Sequence, residues 1–278
     1  MTDETAMTTS PLRDIVDTEQ HPISDDRYRE ECRRALADAG ALVLCGFLRP
    51  RAVAAILREA EDQQHLAFYS TQTHNAYLEP PDPTYHADHP RNRSIVSSKG
   101  CITDDLVAPD SALRRLHEAP EFREFLCVVL GESALHGYAD PLSSINLHYF
   151  RPGQELGWHF DNSAFAITLM IQPPERGGAF EYVGAARDTG RREDGYPRVA
   201  EVLDGDVQPV ELAMDAGGLA LFRGRDALHR VAPVAGARTR ILAVLAYNTR
   251  PGVALSESAQ RTFYGRHAPA PDSPRPPE

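Results

Sequence analysis

The sequence predicts an α+β protein in which an N-terminal helical layer packs on a C-terminal jelly roll. Before about residue 140, apolar residues recur with the three- and four-residue spacing of amphipathic helices. After it, short apolar or alternating runs are separated by Gly, Pro, Asn and Asp, which is typical of the strands of an antiparallel sandwich or barrel. The length of 278 residues fits one domain with extensions better than two full-sized domains.

The N-terminal half contains three helical stretches. The first, at 27–39, ends before Gly40, a residue that favours the left-handed conformation found after a helix. Pro50 starts the second, because its fixed φ suits the first turn of a helix. The third runs from about 111 to 130 and is predicted to break at Pro120.

The segments between these helices and after them have other patterns. Residues 41–47 (ALVLCGF) form an apolar run of the length of a buried strand. Residues 70–110 are rich in turn residues and aromatics, and are too long for a simple connection, so they are predicted to contain a binding loop. The later predicted strands lie in SINLHYF, FAITLMI, GAFEYV, LALFRG and RTRILAVLAYN. The polar segment 184–208 interrupts these strands and is predicted to be a lid.

The predicted packed domain covers residues 23–267, with a helical part at about 23–140 and a jelly-roll core at about 141–267. Residues 1–22 are polar without a sustained period, and residues 268–278 are rich in Pro. Both ends are therefore expected to be disordered or loosely attached.

Composition and charge disfavour several classes of protein. The 29 Lys and Arg residues against 40 Asp and Glu residues give a formal charge of −11, which argues against nucleic-acid binding. No apolar run approaches the roughly 20 residues of a membrane helix, and the N-terminus lacks the basic and apolar regions of a secretion signal. The four cysteines form no CxxC pair and are expected to be reduced. We therefore expect a cytoplasmic protein without nucleic-acid or membrane partners.

Two histidines and one aspartate are the strongest candidates for a metal site. His159 and Asp161 are two residues apart in GWHFDN, so on a strand both side chains point to the same face. His229 lies far along the chain, after the strand-like run LALFRG. Two imidazoles and one carboxylate on one side of a metal form the facial triad of non-haem Fe(II) sites. A jelly roll brings such distant residues together, because its neighbouring strands need not be neighbours in sequence.

Two arginines, Arg238 and Arg240, begin the apolar strand that follows His229, and both are expected on the same side of it. A guanidinium that points into an apolar barrel needs a carboxylate partner, because an unpaired buried charge costs several kcal/mol. That strand contains no acidic residue. A dicarboxylate ligand would satisfy the arginine, and bidentate contact would fix the orientation of the ligand.

The order of HxD, a distant HRVxPV and an arginine in the next strand resembles the 2-oxoglutarate/Fe(II)-dependent dioxygenases, whose core is a double-stranded β-helix. The motif covers about residues 140–250, and the GF-then-helix entry at Gly46–Phe47 resembles that of prolyl-hydroxylase-type members. More narrowly, the chain resembles the free amino-acid hydroxylases and halogenases that include the lysine chlorinases. The segments that carry this resemblance are ELGWHFDNSAFAITLMIQ, GGAFEYV, LFRGRDALHR, VLAYNTRPG and TFYGR.

The resemblance implies that His159, Asp161 and His229 are the catalytic iron ligands. It implies consumption of 2-oxoglutarate and O2, release of succinate and CO2, and oxidation of an unactivated C–H of the substrate. Halogenases of this group carry Gly or Ala where this chain has Asp161, and chloride then occupies the vacant position on the metal. We therefore expect a hydroxylase or desaturase and not a halogenase.

The resemblance also assigns residues to the cosubstrate. Arg238 or Arg240 would hold the far carboxylate of 2-oxoglutarate, and the two remain alternatives because the spacing varies in the family. Tyr149, ten residues before His159, lies where many members place an aromatic residue that contacts the cofactor. A packed strand tyrosine is the alternative for Tyr149.

The substrate is expected to be a free amino acid or a similar small polar metabolite. Arg93 is the candidate for the cation that binds its carboxylate. Other candidates flank the metal motif, lie on SINLHYF or follow from the resemblance near the C-terminus: Trp158, Asn162, Asn146, Asn248, Thr249, Phe263 and Tyr264. The lysine chlorinases carry a tryptophan pair near the position of Phe263 and Tyr264, which argues against lysine itself.

Two other functions stay open from the sequence. A hydroxylase of a protein side chain, as among prolyl-hydroxylase relatives, would need an open groove, whereas the loops at 70–100 and 184–208 favour a closed pocket. A non-catalytic jelly-roll binding protein would be expected to have lost one of the metal-site residues. The amino acid, the carbon attacked, the choice between hydroxylation and desaturation, and the oligomeric state do not follow from these residues.

Overall fold

The computed structural model describes residues 12–184, 186–187 and 195–268. The described residues form six α-helices: α1 (Asp26–Ala39), α2 (Pro50–Gln63), α3 (Ala112–Glu118), α4 (Pro120–Leu130), α5 (Tyr196–Asp204) and α6 (Glu257–Tyr264). They also form thirteen strands: β1 (Ala41–Leu44), β2 (Phe68–His74), β3 (Ile95–Ile102), β4 (Ile145–Phe150), β5 (Leu156–His159), β6 (Ala166–Gln172), β7 (Arg176–Gly177), β8 (Phe180–Val183), β9 (Val210–Leu212), β10 (Leu219–Phe222), β11 (Leu228–Val231), β12 (Val234–Ala235) and β13 (Arg240–Leu245).

Capping residues set the boundaries of the N-terminal helices. Asp25 precedes α1, and its carboxylate accepts a hydrogen bond from the Tyr28 amide at 2.8 Å. Gly40 ends the helix with a φ of 71°, in the left-handed region that Gly adopts without strain. Pro50 and Pro120 each lie in the first turn of a helix, which confirms the predicted start of α2 and the predicted break before α4.

The segment predicted as a binding loop contains two strands. β2 and β3 pair as an antiparallel hairpin along nearly their whole lengths, and the irregular connection is limited to residues 75–94. The sequence does not reveal these strands, because polar residues such as Ser70, Gln72 and Lys99 occupy the side that faces a cavity. In the predicted lid at 184–208, residues 196–204 form α5, whereas residues 185 and 188–194 lie outside the described residues.

The packed domain begins before residue 23. Leu12, Ile15 and Val16 are buried in the main apolar core, and the carbonyl of Ile15 accepts a hydrogen bond from the backbone amide of Arg49. Residues 12–22 are therefore part of the domain. A few apolar side chains anchor this segment, although its sequence has no helical or strand periodicity. The rest of the two predicted disordered ends, residues 1–11 and 269–278, lies outside the described residues.

One antiparallel sheet of eleven strands confirms the predicted jelly roll. The strand order is β1-β10-β6-β13-β4-β3-β5-β11-β8-β9, and β2 pairs with β3 at the side. The first six strands in this order, β1, β10, β6, β13, β4 and β3, form a large layer. The remaining strands, β5, β11, β8 and β9, form a smaller layer that faces it across a cavity. The pairing of Ser97 with Leu156 joins β3 to β5 and so connects the two layers.

Alternation along the large layer separates a packed face from a cavity face. On β4 the odd-numbered residues enter the main apolar core, and the even-numbered residues Asn146, His148 and Phe150 line the cavity. Tyr149 therefore lies on the packed face, where its hydroxyl donates to the Ala60 carbonyl at 2.8 Å. The predicted cofactor contact of Tyr149 is wrong, because the alternation turns this side chain away from the cavity.

The helical layer covers the outer face of the large layer. Leu and Phe side chains of α3 and α4 pack with Ile and Leu side chains of β4, β6, β10 and β13 in one continuous core. The inner face of the sheet lines the cavity with both polar and apolar side chains. None of the described helices is long and apolar enough to cross a membrane, and the four cysteines are free thiols, as expected.

Candidate metal centre

His159, Asp161 and His229 converge at one end of the smaller layer. His159 ends β5 and pairs directly with His229 on β11, so the two imidazoles lie side by side with ring centroids 4.3 Å apart. Oδ1 of Asp161 lies 3.7 Å from Nε2 of His159 and 3.5 Å from Nε2 of His229. One ligand atom from each residue lies within 4.8 Å of the others, and no second group of this kind occurs in the described part of the chain.

Backbone carbonyls hold both imidazoles in the orientation that a metal ion requires. Nδ1 of His159 donates to the Gly157 carbonyl at 2.8 Å, and Nδ1 of His229 donates to the Ala227 carbonyl at 2.9 Å. A histidine that donates through Nδ1 keeps the Nε2 lone pair for a metal ion. Both Nε2 atoms point toward Asp161, so the three ligand atoms face one point.

Burial and mutual charge set the protonation of the cluster. Burial, together with the neighbouring His229, lowers the pKa of His159 to about 3, so this imidazole is neutral. Burial acts to raise the pKa of Asp161, but the charge and hydrogen bond of His229 outweigh it and hold this pKa below its usual value. Burial likewise acts to lower the pKa of His229, and Asp161 reverses the direction. A metal ion would displace the proton that His229 shares with Asp161.

Gly224 leaves the space that the Asp161 carboxylate occupies. The Asp161 amide donates to the Gly224 carbonyl at 3.0 Å, which brings the two backbones into contact. A Cβ atom at residue 224 would overlap the carboxylate of Asp161. The absence of a side chain at Gly224 therefore permits the aspartate to face the two histidines.

Gly224→Ala is expected to weaken Fe(II) binding by about tenfold or more, because the added methyl group pushes the Asp161 carboxylate out of line. Changes in residues that orient a metal ligand typically cost roughly 10–100-fold in affinity. Calorimetric titration of the metal-free protein with Fe(II) under anaerobic conditions measures the effect. Gly184→Ala is the matched control, because a Cβ there has no atom within 4 Å. Equal Fe(II) affinity in the two variants would contradict this role of Gly224.

Arg240 is a buried cation of the cavity, and Arg238 is not. Arg240 is 1% exposed, and its Nε and Nη1 atoms have no hydrogen-bond partner among the described residues. Its guanidinium carbon lies 5.3 Å from the centroid of the Phe150 ring, and burial lowers its pKa to about 10. Arg238 is exposed and donates to the Pro174 carbonyl. The prediction that both arginines share one side of the strand is wrong, because β13 begins only at Arg240.

A cavity of about 420 Å³ connects the cluster to Arg240. Its volume falls in the range of roughly 300–1,000 Å³ that is common for small-molecule sites. The larger layer, with the attached strand β2, contributes many polar side chains to it, among them Ser70, Gln72, His74, Ser97, Lys99, His148 and Thr168. The cavity therefore offers metal-binding atoms at one wall and a guanidinium at another.

Half of the predicted substrate residues line this cavity, namely Asn146, Asn162, Phe263 and Tyr264. Tyr264 ends α6 and donates from its hydroxyl to Oδ1 of Asn146 at 3.2 Å, so the C-terminal helix meets β4 at the cavity wall. These four residues stay candidates for contact with the substrate.

The remaining predicted substrate residues do not line the cavity: Arg93, Trp158, Asn248 and Thr249. Arg93 instead forms a salt bridge with Asp204 at 2.6 Å. Trp158 immediately precedes His159 on β5, so the alternation of the strand turns its ring to the opposite face. The structure thus places the cation predicted for the substrate carboxylate outside the cavity.

Several polar residues of the cavity escape the sequence reasoning, and two of them, Lys99 and His148, contact each other. Nζ of Lys99 lies 2.9 Å from Nε2 of His148 and donates a hydrogen bond to this ring. Burial lowers the pKa of the Lys99 ammonium and of the His148 imidazole. Asn146, His148 and Phe150 alternate along β4, and this alternation is a sequence signal that would have placed His148 on the same face as Asn146. Lys99 lies on β3, a strand that the sequence does not reveal.

The jelly roll has the fold of solved 2-oxoglutarate/Fe(II) oxygenases. An oxidoreductase of the 2OG-Fe(II) oxygenase family from Burkholderia pseudomallei matches with a TM-score of 0.51 and 13% identity, over 81% of this chain and 92% of that chain. The epimerase SnoN in complex with Fe3+, alpha ketoglutarate and nogalamycin RO matches with a TM-score of 0.54 and 15% identity, over 80% of this chain and 84% of that chain. A Pseudomonas putida prolyl-4-hydroxylase matches with a TM-score of 0.50 and 14% identity, over 80% of this chain and 99% of that chain. These similarities define the fold class.

A family model gives a more specific assignment. Residues 24–262 match the model described as Halogenase D, so the match covers most of the chain. The chain therefore belongs to the Halogenase D family. No curated protein matches the chain significantly in sequence.

Proposed function

We propose that the protein is a 2-oxoglutarate- and O2-dependent non-haem Fe(II) hydroxylase that acts on a free amino acid or a similar small polar metabolite. The observation that carries this proposal is the His-Asp-His cluster, which shares one cavity with a buried guanidinium lacking a partner among the described residues. The oxygenase fold and the family match support the same class. When bound, Fe(II) and 2-oxoglutarate supply the oxidising chemistry, in which O2 is consumed and succinate and CO2 are released.

The donor set fits Fe(II). Two imidazole nitrogens and one carboxylate oxygen on one side of a metal ion suit Fe(II) and leave three positions open. His159 and His229 are held through Nδ1, and Asp161 is held by its backbone contact with Gly224, so each ligand atom is already in place. The task of these residues is to hold the metal ion from one side.

Arg240 fits the far carboxylate of 2-oxoglutarate. A buried guanidinium without a partner is unfavourable, and a carboxylate that binds it supplies the missing counter-charge and hydrogen-bond acceptors. The neighbouring Phe150 ring keeps water from one side of this contact. Arg240 would therefore hold one carboxylate of the cosubstrate when it is bound in this cavity.

Asp161 favours hydroxylation over halogenation, although the family is named for a halogenase. With Asp161 present, three residues would hold the metal ion, and the carboxylate would fill the position that halogenases of the resembled group leave for chloride. Desaturation of the same substrate class uses the same ligand set and is the alternative.

The cavity favours a small substrate over a protein side chain. It lies between the two sheet layers and has a volume of about 420 Å³, which suits one small molecule beside the cosubstrate. Asn146 and Tyr264 supply uncharged hydrogen-bonding groups at its wall. The complete set of metal-site residues argues against a non-catalytic binding protein.

The test is substrate-stimulated formation of succinate by the protein loaded with Fe(II) and 2-oxoglutarate in air. Free amino acids are added one at a time, and product masses are read for an added oxygen atom or for the loss of two hydrogen atoms. We expect stimulation by at least one amino acid, and none in His229→Ala, which lacks one of three metal ligands. Stimulation by peptides alone would favour the protein hydroxylase, and a chlorinated product would overturn the proposal.

A further inference from the structure

Lys99 is a second cation on the cavity wall, and the proposed binding of 2-oxoglutarate does not use it. The antiparallel pairing of β3 with β4 and of β4 with β13 places Lys99, Phe150 and Arg240 at about the same level of three successive strands. Nζ of Lys99 contacts the neutral His148 ring at 2.9 Å. In the described part of the chain Lys99 forms no salt bridge, and Asp161 is the one carboxylate among the described residues that line the same cavity.

The charges of the complete centre leave Lys99 without a counter-ion. A divalent metal ion and the dianion of 2-oxoglutarate compensate each other, and the charge of Asp161 compensates that of Arg240. The ammonium of Lys99 then remains, inside a cavity where the low dielectric makes an unpaired charge unfavourable. The site therefore favours one further anionic group at Lys99.

The rest of the wall offers no second acid. Among the described residues that line the cavity, Asp161 is the single carboxylate. Further along β4 the wall is uncharged: the Tyr264 hydroxyl lies 3.2 Å from Oδ1 of Asn146 and 3.3 Å from Oγ of Ser143. A basic side chain would be buried there without a carboxylate partner, whereas an uncharged polar group finds donors and acceptors.

We propose, resting on the proposed function, that Lys99 binds the carboxylate of the substrate, which is a free amino acid without a basic side chain. Phe150 stands between Lys99 and Arg240, so the two cations form separate binding positions. Lys99 lies on β3, which pairs with β5, the strand that ends at His159, so a carboxylate bound to Lys99 lies on the side of the cavity next to the metal-ligand strand. Arg240 binds the carboxylate of the cosubstrate, and Lys99 binds that of the molecule to be oxidised.

The test compares binding of acids and amides to the protein loaded with Fe(II) and 2-oxoglutarate in the absence of O2. Lys99→Met removes the charge at similar length, Lys99→Gln removes it but keeps a polar end, and Lys99→Arg keeps the charge. Arg93→Met is the matched control, because it removes a cation that pairs with Asp204 outside the cavity. Calorimetric titrations use the free proteinogenic amino acids and the α-amides of those that bind, and 2-oxoglutarate is titrated separately into each Fe(II)-loaded protein.

We expect wild type and Arg93→Met to bind an uncharged amino acid at least about tenfold more tightly than its amide. Lys99→Met and Lys99→Gln should lose at least about tenfold in affinity for the acid, with unchanged affinity for the amide and for 2-oxoglutarate. Lys99→Arg should recover part of the loss. Thermal unfolding of each variant identifies any that is misfolded, and the two neutral variants guard against failure of one of them.

Unchanged acid binding in both neutral variants would overturn the inference, and so would tightest binding of lysine or arginine by wild type. A loss of affinity confined to 2-oxoglutarate would also overturn it and would assign Lys99 to the cosubstrate. Failure of the proposed function gives a different result, because wild type would then bind no free amino acid, or would not bind 2-oxoglutarate in the presence of Fe(II).

Discussion

Asp161→Gly is expected to lower the yield of hydroxylated product by at least about a hundredfold and to weaken Fe(II) binding. The substitution removes one of the three ligand atoms, together with the negative charge that lies 3.5 Å from Nε2 of His229. Changes in residues that merely orient a metal ligand cost roughly 10–100-fold, so loss of the ligand should reach or exceed the upper end. Product masses from both proteins, measured on the same substrate with chloride present, and anaerobic Fe(II) titrations check the prediction.

Asp110→Gly is the control, because it removes an exposed carboxylate and should leave product formation and Fe(II) binding unchanged. Undiminished hydroxylation by Asp161→Gly would show that Asp161 is not a ligand. Chlorinated product from the wild-type protein would show that the carboxylate does not exclude chloride from the metal.

Arg240→Met is expected to weaken 2-oxoglutarate binding by at least about tenfold while raising the unfolding temperature of the ligand-free protein. Loss of a buried charge-assisted pair typically costs about 2–5 kcal/mol in binding. In the ligand-free protein, however, the guanidinium is buried with Nε and Nη1 unpaired, so an apolar side chain of similar length relieves an unfavourable burial. Calorimetric titration and thermal unfolding measure the two opposite effects.

Arg238→Met provides the comparison for Arg240→Met. Arg238 is exposed and bonds only weakly to the Pro174 carbonyl at 3.4 Å, so its loss should change neither quantity appreciably. If Arg238→Met weakened 2-oxoglutarate binding and Arg240→Met did not, the cosubstrate would lie outside the cavity and the proposed site would be wrong.

Much of the fold follows from local sequence signals. Gly40, Pro50 and Pro120 mark helix boundaries through their backbone conformations alone, and these positions agree with the structure. The strands of the C-terminal half are also predictable, because their apolar residues face a core. The hairpin of β2 and β3 is not, because its cavity side is polar and imitates the composition of a loop.

The metal cluster is predictable for a different reason than its surroundings. The two-residue spacing of His159 and Asp161 predicts side chains on one side of an extended backbone, and in the structure Asp161 follows the end of β5 at His159. The roles of Tyr149 and Arg93 depend on which face of a strand meets the cavity and on which loop approaches it. Those are properties of long-range packing, and a single sequence does not contain them in readable form.

The two layers of the jelly roll contribute different kinds of side chain to the cavity. The histidines lie on the smaller layer, while Arg240 and Lys99 lie on the larger layer, and the pairing of Ser97 with Leu156 joins the two. Changes on β3 or β4 can therefore alter which anion is accepted while the iron ligands stay as they are. Under the proposed function, the larger layer is therefore the place to change which acid the site accepts, while His159 and His229 on the smaller layer are retained.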